Sequence, residues 1–380
     1  MKQVYVTKQS LWEKDVFYKY ADVVIIGAGI VGLTAALNLV QMAPSMRVCI
    51  LEKGHLPMGA STRNAGFACF GSISELKQDM ATMCHSDVFE TLRMRYNGLI
   101  EMRKWVSPSL FQYEPLGGYE LFTTGQEELF SSYSAEIGEF NRIMRDVLGI
   151  DQTYALKDAS NFGIKTDLPL IYNQYEGQLH PGKLMVELMA RVRKAGVRLL
   201  VGMSVSSIQQ ITESSLRVQC ENGASIMCGQ IIHATNAFAN KLLNIDDVIP
   251  VRNQVYVTEK ITGLRLKGCF HYDHGYIYLR DVNDRILIGG ARNQVDTEDG
   301  EEFGTTDEVK QILKDFLSNY ILDQDVTFED KWSGIIATGE SKKPIIKRID
   351  KYQIAACRLG GMGVAVGSMV GQKAASLALS

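Results

Sequence analysis

Three glycines, Gly27, Gly29 and Gly32, stand between a short β-branched apolar run, Asp22 to Ile26, and a stretch with helical spacing, Ile30 to Met42. A second apolar run, Arg47 to Glu52, follows and ends on a carboxylate 20 residues past Gly32. Strand, glycine turn, helix and strand form a βαβ unit, and runs this apolar suit a parallel sheet covered on both faces. Each position has a physical task. Gly27 permits a tight turn, Ala28 and Gly29 bring backbone close to a pyrophosphate, and Gly32 lets helix and strand approach. The helix N-terminus presents N–H groups to the anion, while Glu52, followed by Lys53, is placed to accept from ribose hydroxyls. NAD and FAD share this fingerprint, so the rest of the chain must separate them.

At about 150 residues per domain, 380 residues predict two to three domains. Helical spacing recurs over Ser72 to Val106, along the stripe Leu129, Tyr133, Ile137, Phe140, Met144 and Val147, and over Lys183 to Lys194. Strands are expected at Val197 to Val201, Val251 to Glu259, Tyr276 to Arg280 and Arg285 to Gly289, then a capped helix over Thr306 to Tyr320 and an apolar one over Val364 to Leu379. Nucleotide signals at both ends enclose helices and antiparallel patterns. The reading is an α/β fold: a discontinuous Rossmann-like domain of residues 1–108, 172–250 and 330–380, with an α+β mixed-sheet substrate domain from 109–171 and 251–329.

Charge is balanced, with 40 Lys and Arg against 43 Asp and Glu, so neither nucleic acid nor an anionic membrane is an expected partner. Seven cysteines without C-x-x-C spacing read as buried, reduced thiols, and the six histidines show no metal-ligand spacing, so no metal is expected. No apolar run is long enough to span a membrane, and Met1 to Tyr20 lacks a signal-like apolar core, which predicts a cytoplasmic protein.

Gly59 to Phe67, including Ser61, Thr62, Arg63, Asn64 and Gly66, is small and polar and suits neither core nor amphipathic surface. Following Leu51-Glu52-Lys53, it resembles the loop after the second strand in flavoproteins of the D-amino-acid oxidase and glycine oxidase superfamily. The likeness runs nearly end to end. Leu179-His180-Pro181 and Gly202 to Ile208, with Val205, resemble the segments beside the adenine. Ile231 to Ala237, with Ala234, Thr235 and Asn236, resembles the strand and turn that return to the cofactor. Trp332-Ser333-Gly334, Pro344 and Leu359 to Ala365, with Gly361, Met362, Gly363 and Val364, resemble the strand and loop over the flavin ring. The turn from Ala234 to Phe238 looks most like the γ-glutamylputrescine oxidase branch.

The resemblance implies FAD and oxidation of a C–N bond in an amine or amino acid, by hydride transfer to flavin N5 and hydrolysis of the imine. One departure bears on substrate. Relatives often carry a carboxylate-binding arginine where this chain has Ile336, so either Arg292 or Arg280 takes that role or the substrate has no α-carboxylate. Tyr276 and Tyr278 share a strand face, and one of them is expected to close over the substrate; Tyr278 and Arg292 are the catalytic candidates. Residues 335–344 hold no cysteine and His55 reads as a solvated loop residue, so the FAD is expected to be non-covalent. Other readings are a 2-hydroxy-acid dehydrogenase, an NAD-dependent dehydrogenase, or a non-enzymatic flavin- or nucleotide-binding protein. The partner is a small molecule, and the electron acceptor, oxygen or another, stays open.

Overall fold

A computed structural model describes residues 9–296 and 298–380. The first run forms the strand Ala21–Ile26, flanked in parallel by Val48–Glu52 and Ser225–His233, so that Val24 faces Cys49 on one side and Ile231 on the other. Arg198–Val201 extends the sheet beyond Val48–Glu52, and Gln353–Cys357 with its antiparallel partner Ile345–Arg348 extends it beyond Ser225–His233. A hairpin of Val205–Thr212 and Ser215–Cys220 continues from Ser225–His233. Val24, Ile25, Ile50 and Ile231 are fully buried, each contributing on the order of 2 kcal/mol of burial free energy.

Helices Ile30–Met42, Pro181–Lys194, His85–Trp105 and Gly363–Leu379 accompany this sheet. Three of them meet through glycines. A Cβ on Gly98 would stand 1.9 Å from Ala365 O, one on Gly367 2.9 Å from Ile30 Cγ2, and one on Gly371 2.2 Å from Thr34 Oγ1. Ser368 Oγ adds a 2.6 Å hydrogen bond to Gly98 O. The glycines of the last helix thus hold it against the glycine-loop helix Ile30–Met42, and bring the C-terminal residues beside the glycine loop at the N-terminus.

The second sheet runs Phe328–Thr338, Ile249–Thr258, Arg285–Gly290, Ile277–Val282, Cys269–Tyr272, Gly118–Glu120, Leu170–Asn173, Tyr154–Lys157. All neighbours are antiparallel except Cys269–Tyr272 with Gly118–Glu120. Residues 330–338 were expected with the nucleotide-binding segments, yet Phe328–Thr338 hydrogen-bonds along the whole of Ile249–Thr258. Periodicity identifies a strand but not the edge it joins. Similarly, 172–173 close the strand Leu170–Asn173 of this sheet.

Local boundaries also differ. The helical stretch from Ser72 breaks at extended Met83 and Cys84 into Ile73–Thr82 and His85–Trp105, and the stripe through Tyr133 breaks at Glu136 into Glu127–Ala135 and Ile137–Leu148. Neither break carries the Gly or Pro that would announce it. Thr306 caps Asp307–Phe316 as expected, with Leu317–Ile321 continuing as a wider turn. His180 is the N-cap of Pro181–Lys194, its Nδ1 accepting from Lys183 N. Among the described residues no helix is long and apolar enough to cross a membrane, and six of the seven cysteines are buried, Cys84 being exposed.

Candidate active site

The glycine loop is braced from every side. Gly27 has φ +105°, and a Cβ there would meet Ala234 O at 2.7 Å; a Cβ on Gly32 would stand 1.9 Å from Gly27 O. Only glycine fits either position. Glu52 Oε2 accepts from Ala28 N at 2.9 Å and Oε1 from Gly54 N at 3.0 Å, so the carboxylate positions the loop and keeps lone pairs for a hydroxyl donor. Lys53 is exposed beside it. Ser61 Oγ accepts from Ile30 N at 3.0 Å, tying the small-residue loop to the helix N-terminus. Met203 N donates to Glu52 O at 2.8 Å, and Val205 opens the next strand two residues on.

The small-residue loop holds its own shape. Thr62 Oγ1 donates to Gly59 O, Asn64 donates to Ala60 O and Ser61 O and accepts from Gly66 N, and Arg63 donates to Met58 O and Ser333 O. Trp332 Nε1 returns a bond to Arg63 O at 2.9 Å. Across the site, Asn236, left-handed at φ +47°, accepts from Leu359 N at 3.2 Å. That bond joins the Ala234, Thr235 and Asn236 turn to the loop Gly360–Gly361 before the last helix, which begins at Gly363 and Val364 with Met362 as its N-cap. A Cβ built on Gly360 or Gly361 finds no atom within 4 Å, and Thr235 Oγ1 is buried without a partner. Open space over backbone, an orphaned buried hydroxyl and a helix N-terminus are what a flat cofactor ring with polar edges requires, so the residues present fit FAD.

A cavity of about 350 Å³ lies between these segments and the second sheet, reaching from Ala60, Arg63, Asn64 and Phe67 to Gly360–Met362 and Val364. One transverse row of paired residues crosses the second sheet beside it: Glu120 with His271, His271 with Tyr278, Tyr278 with Gly289, Gly289 with Val255, and Val255 with Trp332. Directly paired residues share a face. His271, Tyr278 and Val255 line the cavity, and the Phe67 ring meets His271 and Tyr278 edge-on at 5.3 and 5.4 Å. Burial raises the Tyr278 pKa, so the phenol stays a hydrogen-bond donor.

The candidate arginines part company here. Arg292 lines the cavity, follows left-handed Ala291, lies over the Tyr276 ring at 4.9 Å and has no carboxylate partner among the described residues. Arg280 is buried and spends its donors on Ala65 O, Leu179 O and Asp281 O at 2.6, 3.2 and 3.2 Å, so it is a brace between the loop and the second sheet and cannot take a substrate carboxylate. Ile336 lines the cavity as an apolar wall. Tyr276 sits in the turn before Ile277–Val282, not on the strand, although it still reaches the cavity with Tyr278; Tyr272 ends the preceding strand.

Other cavity residues carried no sequence signal. Cys69, Glu75, Arg95 with its 3.4 Å partner Asp79, and Lys342 with Asp79 at 2.6 Å come from distant segments and have no spacing to betray them. His271 alone was traceable, as the strand neighbour facing Tyr278 across a short turn.

The model of the family described as FAD dependent oxidoreductase matches residues 22–377. The dimethylglycine dehydrogenase of Rattus norvegicus is 25% identical over 284 residues, which are 72% of this chain and 31% of the relative, so the chain spans about a third of that protein's length. L-proline dehydrogenase from P. horikoshii superposes with a TM-score of 0.76 at 19% identity, covering 95% of this chain and 94% of that one. Glycine oxidase from Geobacillus kaustophilus gives 0.76 and 19%, covering 95% of each chain.

Proposed function

The chain belongs to the family of FAD-dependent oxidoreductases, and from that premise we propose that it oxidises the C–N bond of a small amine or amino acid. Bound FAD supplies the hydride acceptor, and the imine product is hydrolysed by water. The cavity between the cofactor segments and the transverse row on the second sheet carries this reading. Apolar walls from Ile336, Val255 and Phe67 exclude water around the reacting carbon, as a hydride transfer needs. Tyr278, kept protonated by burial, donates to a polar atom of the substrate and fixes the face it presents.

Arg292 gives the substrate its second point of attachment. It is a half-buried cation without an ion pair among the described residues, on the strand side of the cavity, whereas Ile336 offers nothing to an anion. The favoured substrate is therefore an amine carrying an acidic or strongly accepting group at a reach set by Arg292. That supports an amino acid, or an amine on a longer polar chain. Dimethylglycine dehydrogenase, proline dehydrogenase and glycine oxidase among the relatives bear names that agree with oxidation beside nitrogen.

The Gly27–Gly32 loop with Glu52, the Ser61–Phe67 loop, Val205, the Ala234–Asn236 turn and Gly361–Val364 are assigned to the FAD. Neither His55, exposed in a loop, nor any cysteine in 335–344 offers a covalent tether, so the flavin is held by contacts alone. Product analysis tests the reaction. With an artificial electron acceptor, the holoprotein should release ammonia or a shortened amine together with a carbonyl compound in equal amounts. A 2-hydroxy acid turned over to a keto acid, with no nitrogen released from any amine, would replace this reading by C–O oxidation.

A further inference from the structure

At one side of the cavity, three side chains from distant parts of the chain converge. Cys69 follows the Phe67–Ala68 strand, Glu176 lies in the turn after Leu170–Asn173, and His271 is on Cys269–Tyr272. One donor atom from each, a thiol sulfur, a carboxylate oxygen and a ring nitrogen, lie within 4.8 Å of one another. We propose that Cys69, Glu176 and His271 form a site for a divalent cation of the zinc type, with its remaining coordination position open to the cavity. This does not depend on the oxidation assigned above.

The strongest observation is His271 Nε2, buried and without a hydrogen-bond partner on a residue only 6% exposed. Its nearest carboxylate oxygen, Glu176 Oε2, is 3.9 Å away, too far for a hydrogen bond and close to the separation of two ligands on one ion. Bonds of about 2.0 to 2.3 Å at tetrahedral angles put ligand atoms about 3.3 to 3.6 Å apart, so separations of up to 4.8 Å need to close by at most about 1.5 Å. Glu176 is oriented as an outer shell would orient it: Oε1 accepts from Phe70 N at 2.8 Å and Gly71 N at 3.0 Å, which leaves Oε2 for the ion. Oε2 is so close to Gly118 that a Cβ there would meet it at 1.8 Å.

Charge points the same way. Glu75 and Glu120 stand near, and no Lys or Arg pairs with Glu176 among the described residues. A divalent cation with one thiolate and one carboxylate makes a neutral site, which a buried position tolerates. Cys269, whose thiol is committed to Gly177 O at 3.1 Å, packs alongside. Cys69 and His271 both line the cavity, and three protein ligands with an open position is the arrangement of reactive zinc centres.

The test uses the FAD-loaded protein, stripped with a chelator and titrated with Co2+, reading ligand-field absorbance at wavelengths longer than the flavin's own. The wild type should bind one Co2+ per chain, and zinc should displace it with one equivalent. Cys69→Ser and His271→Asn should each weaken binding by at least about a hundredfold, more than the loss of an outer-shell partner costs. Unchanged flavin absorbance in each variant shows that the fold survives; should Cys69→Ser lose flavin, His271→Asn and Glu176→Gln carry the comparison. No Co2+ spectrum at millimolar metal in the wild type, or a spectrum unchanged in the flavin-loaded variants, overturns the site.

Discussion

Tyr278 and Gly289 are paired across adjacent antiparallel strands, and the tyrosine occupies the space a side chain at 289 would need: a Cβ there would lie 2.6 Å from the Tyr278 hydroxyl and 2.7 Å from its Cε2. The glycine is what lets the ring lie across the sheet into the cavity. Gly289→Ala should therefore push Tyr278 out of place while leaving the segments proposed to hold FAD intact. The expected result is full flavin content with flavin reduction slowed on the order of tenfold, about 1.4 kcal/mol in barrier height. Tyr278→Phe should show the same slowing without the steric change, measured by stopped-flow absorbance.

Arg292 has no carboxylate partner among the described residues, so its removal exposes no buried anion and the fold should tolerate it. Arg292→Ala should raise KM for a substrate with an acidic group by about two decades, the worth of a charge-assisted bidentate contact, and change kcat less. Arg292→Lys should recover part of the loss. Equal kinetics in both variants would mean that the substrate never reaches this arginine.

The glycine loop gives a prediction about cofactor. Gly32→Ala would set a Cβ 1.9 Å from Gly27 O, and Gly29→Val adds a branched side chain where a Cβ alone is 2.9 Å from Ser61 Oγ. Both should yield protein that purifies without flavin absorbance. Acid precipitation of the wild type should leave all colour in the supernatant; a yellow pellet would mean a covalent bond that none of the residues considered provides.

These positions also show how far the sequence could be read. The glycine triplet, its flanking strands and Glu52 were legible because each answers a local steric or hydrogen-bonding demand. Arg280 and Arg292 looked alike in sequence, since nothing local says that one would find Ala65 O and Leu179 O while the other stayed unpaired. The strand Phe328–Thr338 was legible as a strand, but its partner was not, because the hydrogen bonds to Ile249–Thr258 close a loop of some seventy residues. Cys69 and Glu176 left no trace for the same reason: only the fold brings them to His271.

His233 provides a pH test of stability. It ends the strand Ser225–His233 fully buried, with Nε2 2.9 Å from Gln353 Oε1 and Nδ1 without a partner, and burial lowers its pKa to about 4. An unfolded histidine titrates near 6.5, so between those values the unfolded chain binds the extra proton and stability falls as pH falls. From pH 7 to pH 5 this residue alone should cost about 2 kcal/mol, read as a lower denaturation midpoint. His233→Gln should flatten that part of the profile. An unchanged slope would place the acid sensitivity elsewhere.

The central claim is oxidation at carbon bearing nitrogen on bound FAD, and anaerobic titration of the oxidised protein tests it most directly. The flavin absorbance would be followed while primary, secondary and N-methylated amines, D- and L-amino acids and 2-hydroxy acids are added in turn. Bleaching by members of the amine and amino-acid set, with none by 2-hydroxy acids, is the predicted result. Bleaching by a 2-hydroxy acid alone, or no bleaching by any compound in a protein carrying one FAD per chain, would contradict it.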